Sequence, residues 1–126
     1  MIKLTFVLRR LPELEPGEFR RYWREQHAPL VARHAETLRI RRYVQTHTMG
    51  SDLDGALAEG RGTQIEPYDG VAQLWWDSFE DLLAVLADEA GQQAAAELVE
   101  DERRFIDLPA SSLWFGEEHV VVESGA

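Results

Sequence analysis

The sequence predicts an α+β fold of the ferredoxin-like kind, with element order β-α-β-β-α-β and a four-stranded antiparallel sheet carrying its helices on one face. Three observations predict it. Ile2 to Leu8 and Val71 to Trp76 are short runs of aliphatic, β-branched and aromatic residues with the length and composition of strands. Residues 38–48 alternate with period two, Leu38, Ile40, Arg42, Val44 and Thr46 on one side and Arg39, Arg41, Tyr43, Gln45 and His47 on the other. Phe19, Trp23, His27 and Leu30 recur at steps of four, four and three, which lines them along one helix face.

Each element follows in order. The first strand covers 2–8, and a connector through Pro12 leads to Pro16-Gly17, where Pro suits a first helical turn and Glu18 favours the positive end of the helix. The first helix is expected from Pro16 to Glu36, kinked or interrupted near Pro29, which lacks the N–H a helix interior needs. The second strand occupies 38–48. Residues 49–68 hold Gly50, Gly55, Gly60, Gly62 and Pro67 and read as a long Gly-rich loop in which 56–58 offer at most one helical turn. The third strand is 71–76, followed by Asp77 and Ser78 as capping residues. A second helix over 79–88 is expected to turn Phe79, Leu82, Leu83 and Leu86 inward and to break at Gly91, with a third helical run from Gln92 to Arg103. Trp114 and Phe115, then His119 to Glu123, form the last strand.

A chain of 126 residues is one domain. It has no Cys, so it holds no disulfide, thiol nucleophile or thiolate metal site. No apolar run reaches the ~20 residues of a membrane span. No signal-peptide pattern opens the chain, and a cytoplasmic protein is expected. The net charge of −10 argues against nucleic acid and anionic membranes as partners. That charge is unevenly spread: residues 1–42 carry ten basic groups and five acids, and the remainder three basic groups and eighteen acids. Mutual neutralisation within the fold or across a dimer is the simpler account, with Asp101, Glu102 and Asp107 as partners for the first-helix arginines; an anion-attracting first helix is the alternative.

The chemistry-bearing residues gather around the helix stripe. His27 is the only titratable group in that stripe and titrates near neutrality, so in a cavity it can accept and return a proton. A buried histidine held by a carbonyl or carboxylate is the competing role. Tyr22 and Trp23 read first as packing, although Tyr22 also offers a hydroxyl. Tyr43, Gln45 and His47 share one side of the second strand, and Trp75 lies on the third. With Trp75 or Trp76 and Tyr43 directed to the open sheet face, a second copy of the chain is the expected cover. His34 is placed to complement a helix C-terminus, Asp69 to cap a turn, and His119 to lie on an exposed strand. Metal, dinucleotide, P-loop and nucleophile-elbow motifs are absent.

Phe19-x-x-Tyr22-Trp23-x-x-x-His27-Ala28-Pro29-Leu30, then Pro67-Tyr68-Asp69-Gly70-Val71-Ala72-x-x-Trp75, then Asp101-Glu102-x-x-Phe105-Ile106-Asp107 together resemble the EthD family over essentially the whole chain. The resemblance implies a dimeric α/β barrel, shared with cofactor-independent monooxygenases, muconolactone isomerase-type enzymes and fungal polyketide dehydratases or decarboxylases. It implies no single reaction. In related lactone isomerases a first-helix histidine is proposed to transfer a proton, and His27 sits at the matching position. The expectation is therefore a homodimer, without a cofactor or metal. It would act on a small hydrophobic organic molecule by acid/base chemistry at His27, with Tyr22, Trp23, Tyr43, Gln45, His47 and Trp75 against the substrate. The alternative is a non-catalytic binding or accessory protein for a partner oxygenase. An enclosed cavity of a few hundred Å³ beside His27, with Tyr22, Gln45 or His47 nearby, would favour catalysis, and a ring packed with no void beside it would leave catalysis the minority reading.

Overall fold

The computed structural model describes residues 1–125. Four strands, β1 (Ile2–Leu8), β2 (Arg42–His47), β3 (Gly70–Trp76) and β4 (Ser112–Gly116), form one antiparallel sheet in the order β2-β3-β1-β4. The β-α-β-β-α-β order and the ferredoxin-like α+β fold hold. Register sorts the side chains. Ile2, Leu4, Phe6 and Leu8 stand opposite Trp76, Leu74, Ala72 and Gly70 and share their face. That face meets the helices, and Phe6, Leu8 and Ala72 pack there with Phe19, Trp23, Phe105 and Ile106.

The first helix departs from expectation in an informative way. It runs as α1 (Pro16–Tyr22), a π turn (Trp23–His27) and α2 (Ala28–His34). In an unbroken α-helix the Pro29 ring would collide with the carbonyl of Glu25. The wider turn, with Ala28 N–H donating to the Trp23 carbonyl, adjusts the ladder one residue upstream and lets the chain continue. α2 ends in a Schellman motif: Ile40 N–H bonds the Ala35 carbonyl and Arg39 N–H that of Glu36, with Arg39 at φ 57°. This wrap uses residues 38–40, so the second strand starts at Arg42 and not at 38.

The reading of 49–68 as a structureless loop is overturned. Asp52–Arg61 is a helix, α3, started by Ser51, whose Oγ accepts from Leu53 N–H while Asp54 bonds back to Ser51 N–H. Gly62, at φ 68°, closes it. α3 has no buried residue, so only its caps and local bonds reveal it.

α4 (Phe79–Ala87) is capped by Ser78 as expected, but of its side chains Val85 is the buried one. Phe79, Leu83 and Leu86 are 47, 64 and 49% exposed, which corrects their inward assignment. The break falls at Asp88, whose ψ of 136° is extended, and α5 runs Glu89–Glu102. Gly91 sits inside α5, where a Cβ would lie 2.1 Å from the Val85 carbonyl oxygen, so it permits close approach of two helices. A 3₁₀ turn (Leu108–Ala110) leads into β4. Residues 117–125 form no strand, so His119 lies in an exposed irregular segment.

Candidate functional site

The π turn places Trp23 and His27 inward, four residues apart. His27 is 4% exposed and its ring lies 5.0 Å from that of Phe105. Its Nδ1 is 2.8 Å from Asp101 Oδ2, and Asp101 Oδ1 accepts from Tyr22 O–H at 2.6 Å and from Arg104 at 3.4 Å. An ionised carboxylate only accepts, so Nδ1 carries the proton and Nε2 presents its lone pair. Nε2 is 4.0 Å from Glu102 Oε2. Burial lowers the pKa of His27, against the hydrogen bond and charge of Asp101, so the ring is a neutral base at pH 7. Burial alone would raise Asp101; its bonds to Tyr22 and His27, with the charges of His27 and Arg104, outweigh that and hold it low. Glu102 differs. Burial, then the Asp101 charge, pushes it up to about 7.

The structure thus sets a neutral imidazole beside a carboxyl that still holds a proton near neutrality. Both border a cavity of about 40 Å³ between helix and sheet, together with Trp23, Tyr43, Phe6 and Leu74. That is room for about one water, not the few hundred Å³ an organic molecule needs.

The predicted residues divide into three groups. Trp23 and Tyr43 wall the cavity with His27. Tyr22 stands behind Asp101, away from the imidazole's free nitrogen. Gln45 and His47 lie one layer outward. Gln45 Nε2 donates to the Tyr43 hydroxyl at 2.8 Å and to the Trp23 carbonyl at 3.0 Å, and its Oε1 accepts from His47 Nε2 at 2.8 Å. His47 stacks on Trp23 with centroids 4.3 Å apart. Outside it opens a cleft of about 590 Å³ bordered by Arg20, Arg21, Arg24 and Glu25 as well as Gln45 and His47.

Trp75 is not brought to His27. It occupies the opposite sheet face, between Lys3 and Arg42, and its indole N–H meets Glu118. Tyr43, by contrast, faces the helices, which corrects its assignment to the open face. Trp76 also faces inward, donating to the Leu38 carbonyl at 2.7 Å. His34 pairs with Glu97 at 2.8 Å and Asp69 holds Arg10.

Two residues of the site were assigned another role from sequence. Asp101 and Glu102 were expected to neutralise first-helix arginines, yet they serve His27. A signal was present: Ala94, Leu98, Asp101 and Phe105 are the buried stripe of α5 and its extension, and an acid in an apolar stripe asks for a partner. Among the described residues, no three or more His, Cys, Asp or Glu are grouped to hold a metal ion, and no helix is long and apolar enough to cross a membrane.

The EthD domain family model matches residues 11–109. A conidial pigment biosynthesis dehydratase EthD of Metarhizium robertsii is 27% identical over 99% of this chain and 87% of its own length. Among solved structures, an ethyl tert-butyl ether D (EthD) family protein of Bacillus halodurans aligns with a TM-score of 0.62 at 20% identity, over 94% of this chain and 99% of that one. SnoaB of Streptomyces nogalater, a cofactor-independent oxygenase, aligns at 0.51 and 18%, over 96% and 98%. These structural likenesses concern the fold.

Proposed function

The chain belongs to the EthD family, and from that premise we propose that it is a small acid/base enzyme that removes water from a hydrophobic hydroxy-carbonyl compound without a cofactor. The observation that carries the reading is geometric: His27, oriented by Asp101, and Glu102, whose carboxyl burial pushes up to about 7, border one largely apolar cavity with Nε2 4.0 Å from Oε2. Elimination of water needs a base for a proton on carbon and an acid for the departing hydroxyl. His27 Nε2 takes the proton; Glu102 delivers its own to the leaving oxygen; the electron pair of the broken C–H bond becomes the new double bond. Asp101 holds the imidazole tautomer and steadies the imidazolium that forms. Transfer from His27 back to Glu102, through the released water, resets both groups.

The dehydratase name of the Metarhizium relative supports elimination over the other reactions open to this fold. Substrate entry requires the Trp23, Tyr43, Gln45 and His47 layer to move, since the cavity as it stands holds about one water. The reading includes a homodimer, for reasons of surface taken up below.

The test is turnover. Purified protein is offered a panel of aromatic β-hydroxy ketones, and loss of water is followed by mass spectrometry. His27→Gln, folded by circular dichroism, is expected to lose about 10²–10⁴-fold in rate. Wild-type protein inert on the panel, or His27→Gln at full rate, refutes the assignment and leaves the non-catalytic binding role.

A further inference from the structure

The cleft outside His47 gathers three cations that, among the described residues, lack a carboxylate partner, as Arg33, Arg42 and Arg61 do singly elsewhere. Arg10, Arg39, Arg41, Arg103 and Arg104 each meet a carboxylate, and Arg9 donates to the Glu66 and Pro67 carbonyls. Arg20, Arg21 and Arg24 make no ion pair or side-chain hydrogen bond among the described residues. On a chain of net charge −10 with 23 acids, three neighbouring cations left unpaired stand out. They are also concave in arrangement: all three border the same 590 Å³ cleft, with Glu25 as its one acid.

The floor of the cleft is built. His47 is fixed by its stack on Trp23 and by Gln45, and Gln45 is fixed by Tyr43. With Nε2–H given to Gln45, Nδ1 of the neutral His47 ring can only accept, so a carboxylate in the cleft is held by the arginines and His47 offers it a flat floor. Arg20 and Arg24 are near enough that, after burial, their charges help lower the His47 pKa. The chain His47–Gln45–Tyr43 runs from this floor to the wall of the His27 cavity.

We propose that this cleft binds the carboxylate of a small organic acid on Arg20 and Arg24 over His47, so that the substrate class is an aromatic or otherwise planar carboxylic acid. Guanidinium forks match a carboxylate bidentately, and their planes stack on flat apolar groups. A ligand anchored there neutralises the charges facing His47 and sets its apolar body against the Trp23–Tyr43 layer that must part for entry. The inference rests on the acid/base reading only for its link to turnover; binding stands by itself.

Benzoate is the probe, titrated into the full chain and followed by NMR of the His47 ring. Saturable shifts of that ring are expected. The double variant Arg20→Gln/Arg24→Gln, at exposed positions, is expected to bind at least about tenfold more weakly. Glu25→Gln is expected to bind more tightly. Affinity unchanged in the double variant overturns the proposal, as does inorganic phosphate competing as well as benzoate, which would mark charge attraction alone. His27→Gln is expected to bind benzoate normally. Failure of benzoate binding while His27→Gln still abolishes turnover removes this inference and spares the acid/base one; the opposite pattern does the reverse.

Discussion

At the residue scale the decisive contrast is between neighbours in sequence. Asp101 and Glu102 share a helix turn, a composition and a charge, yet one is held ionised by Tyr22 and His27 while burial and its neighbour hold the other protonated to about 7. The pH consequences follow. Glu102, raised from 4.5 to about 7, binds its proton more tightly folded than unfolded. Its contribution to stability is present below pH 4.5 and is lost as pH rises towards 7. At 1.36 kcal/mol per unit that amounts to about 3 kcal/mol. His27 acts oppositely: its folded pKa lies below 6.5, so stability falls as pH drops below that value. Chemical denaturation from pH 4.5 to 7.5 is expected to show Glu102→Gln gaining on the wild type as pH rises. Parallel curves would contradict the protonated carboxyl. The proposed elimination requires neutral His27 and protonated Glu102, so kcat/KM is expected to be bell-shaped with its falling limb near 7.

At the element scale, the π turn and β3 fit one another through a missing side chain. A Cβ on Gly70 would lie 2.4 Å from Trp23 Cζ3 and 2.8 Å from the Thr46 carbonyl oxygen. Trp23 is nearly fully buried and braces both His47 and the cavity wall. Gly70→Ala is expected to cost about 1–3 kcal/mol by overpacking, lowering Tm by several degrees in a thermal melt. A melt unchanged by the substitution would mean Trp23 shifts freely. The elements also show where local signals were read and where they were missed. Ser78 is a cap legible from sequence, whereas Ser51 with Asp54 three residues on is masked by four nearby glycines that favour a loop. Phe79, Leu83 and Leu86 follow a helical period correctly, but period says which residues share a face and not whether anything covers it.

At the scale of the whole molecule, two apolar surfaces remain without cover. Val7, Val44, Val71 and Trp114 stand on the open sheet face, the last 50% exposed. Leu113 and Phe115 are exposed on β4 at the sheet edge, and the Phe115 ring meets that of Phe79 with centroids 5.5 Å apart. Exposed apolar residues of this kind, set among Thr5, Thr46 and Gln73 on the open face, suit an interface, and a sheet face that meets its own copy suits a two-fold dimer. Sedimentation at micromolar concentration is expected to give a dimer, and Val44→Asp a monomer. A monomeric wild type would sink the assembly. The lopsided charge is neutralised in part within the fold, since Lys3, Arg10, Arg39 and Arg41 of the basic first part meet Glu118, Asp69, Asp81 and Asp77, but Asp101 turns to Tyr22, His27 and Arg104 and not to the first-helix arginines.

Sequence by itself determined the strands at 2–8 and 71–76, the element order, the helix face that carries His27, and the family, because period, composition and motif spacing are properties of the chain read locally. Only the tertiary structure decided which carboxylate orients His27, which keeps its proton, and that Trp75 and Tyr43 lie on opposite sheet faces. Those depend on strand register and on contacts between residues more than seventy positions apart, Tyr22 and His27 with Asp101. The burial that lowers His27 and raises Glu102, and the bonds that hold Asp101 low against it, arise only when those distant elements close over the side chains.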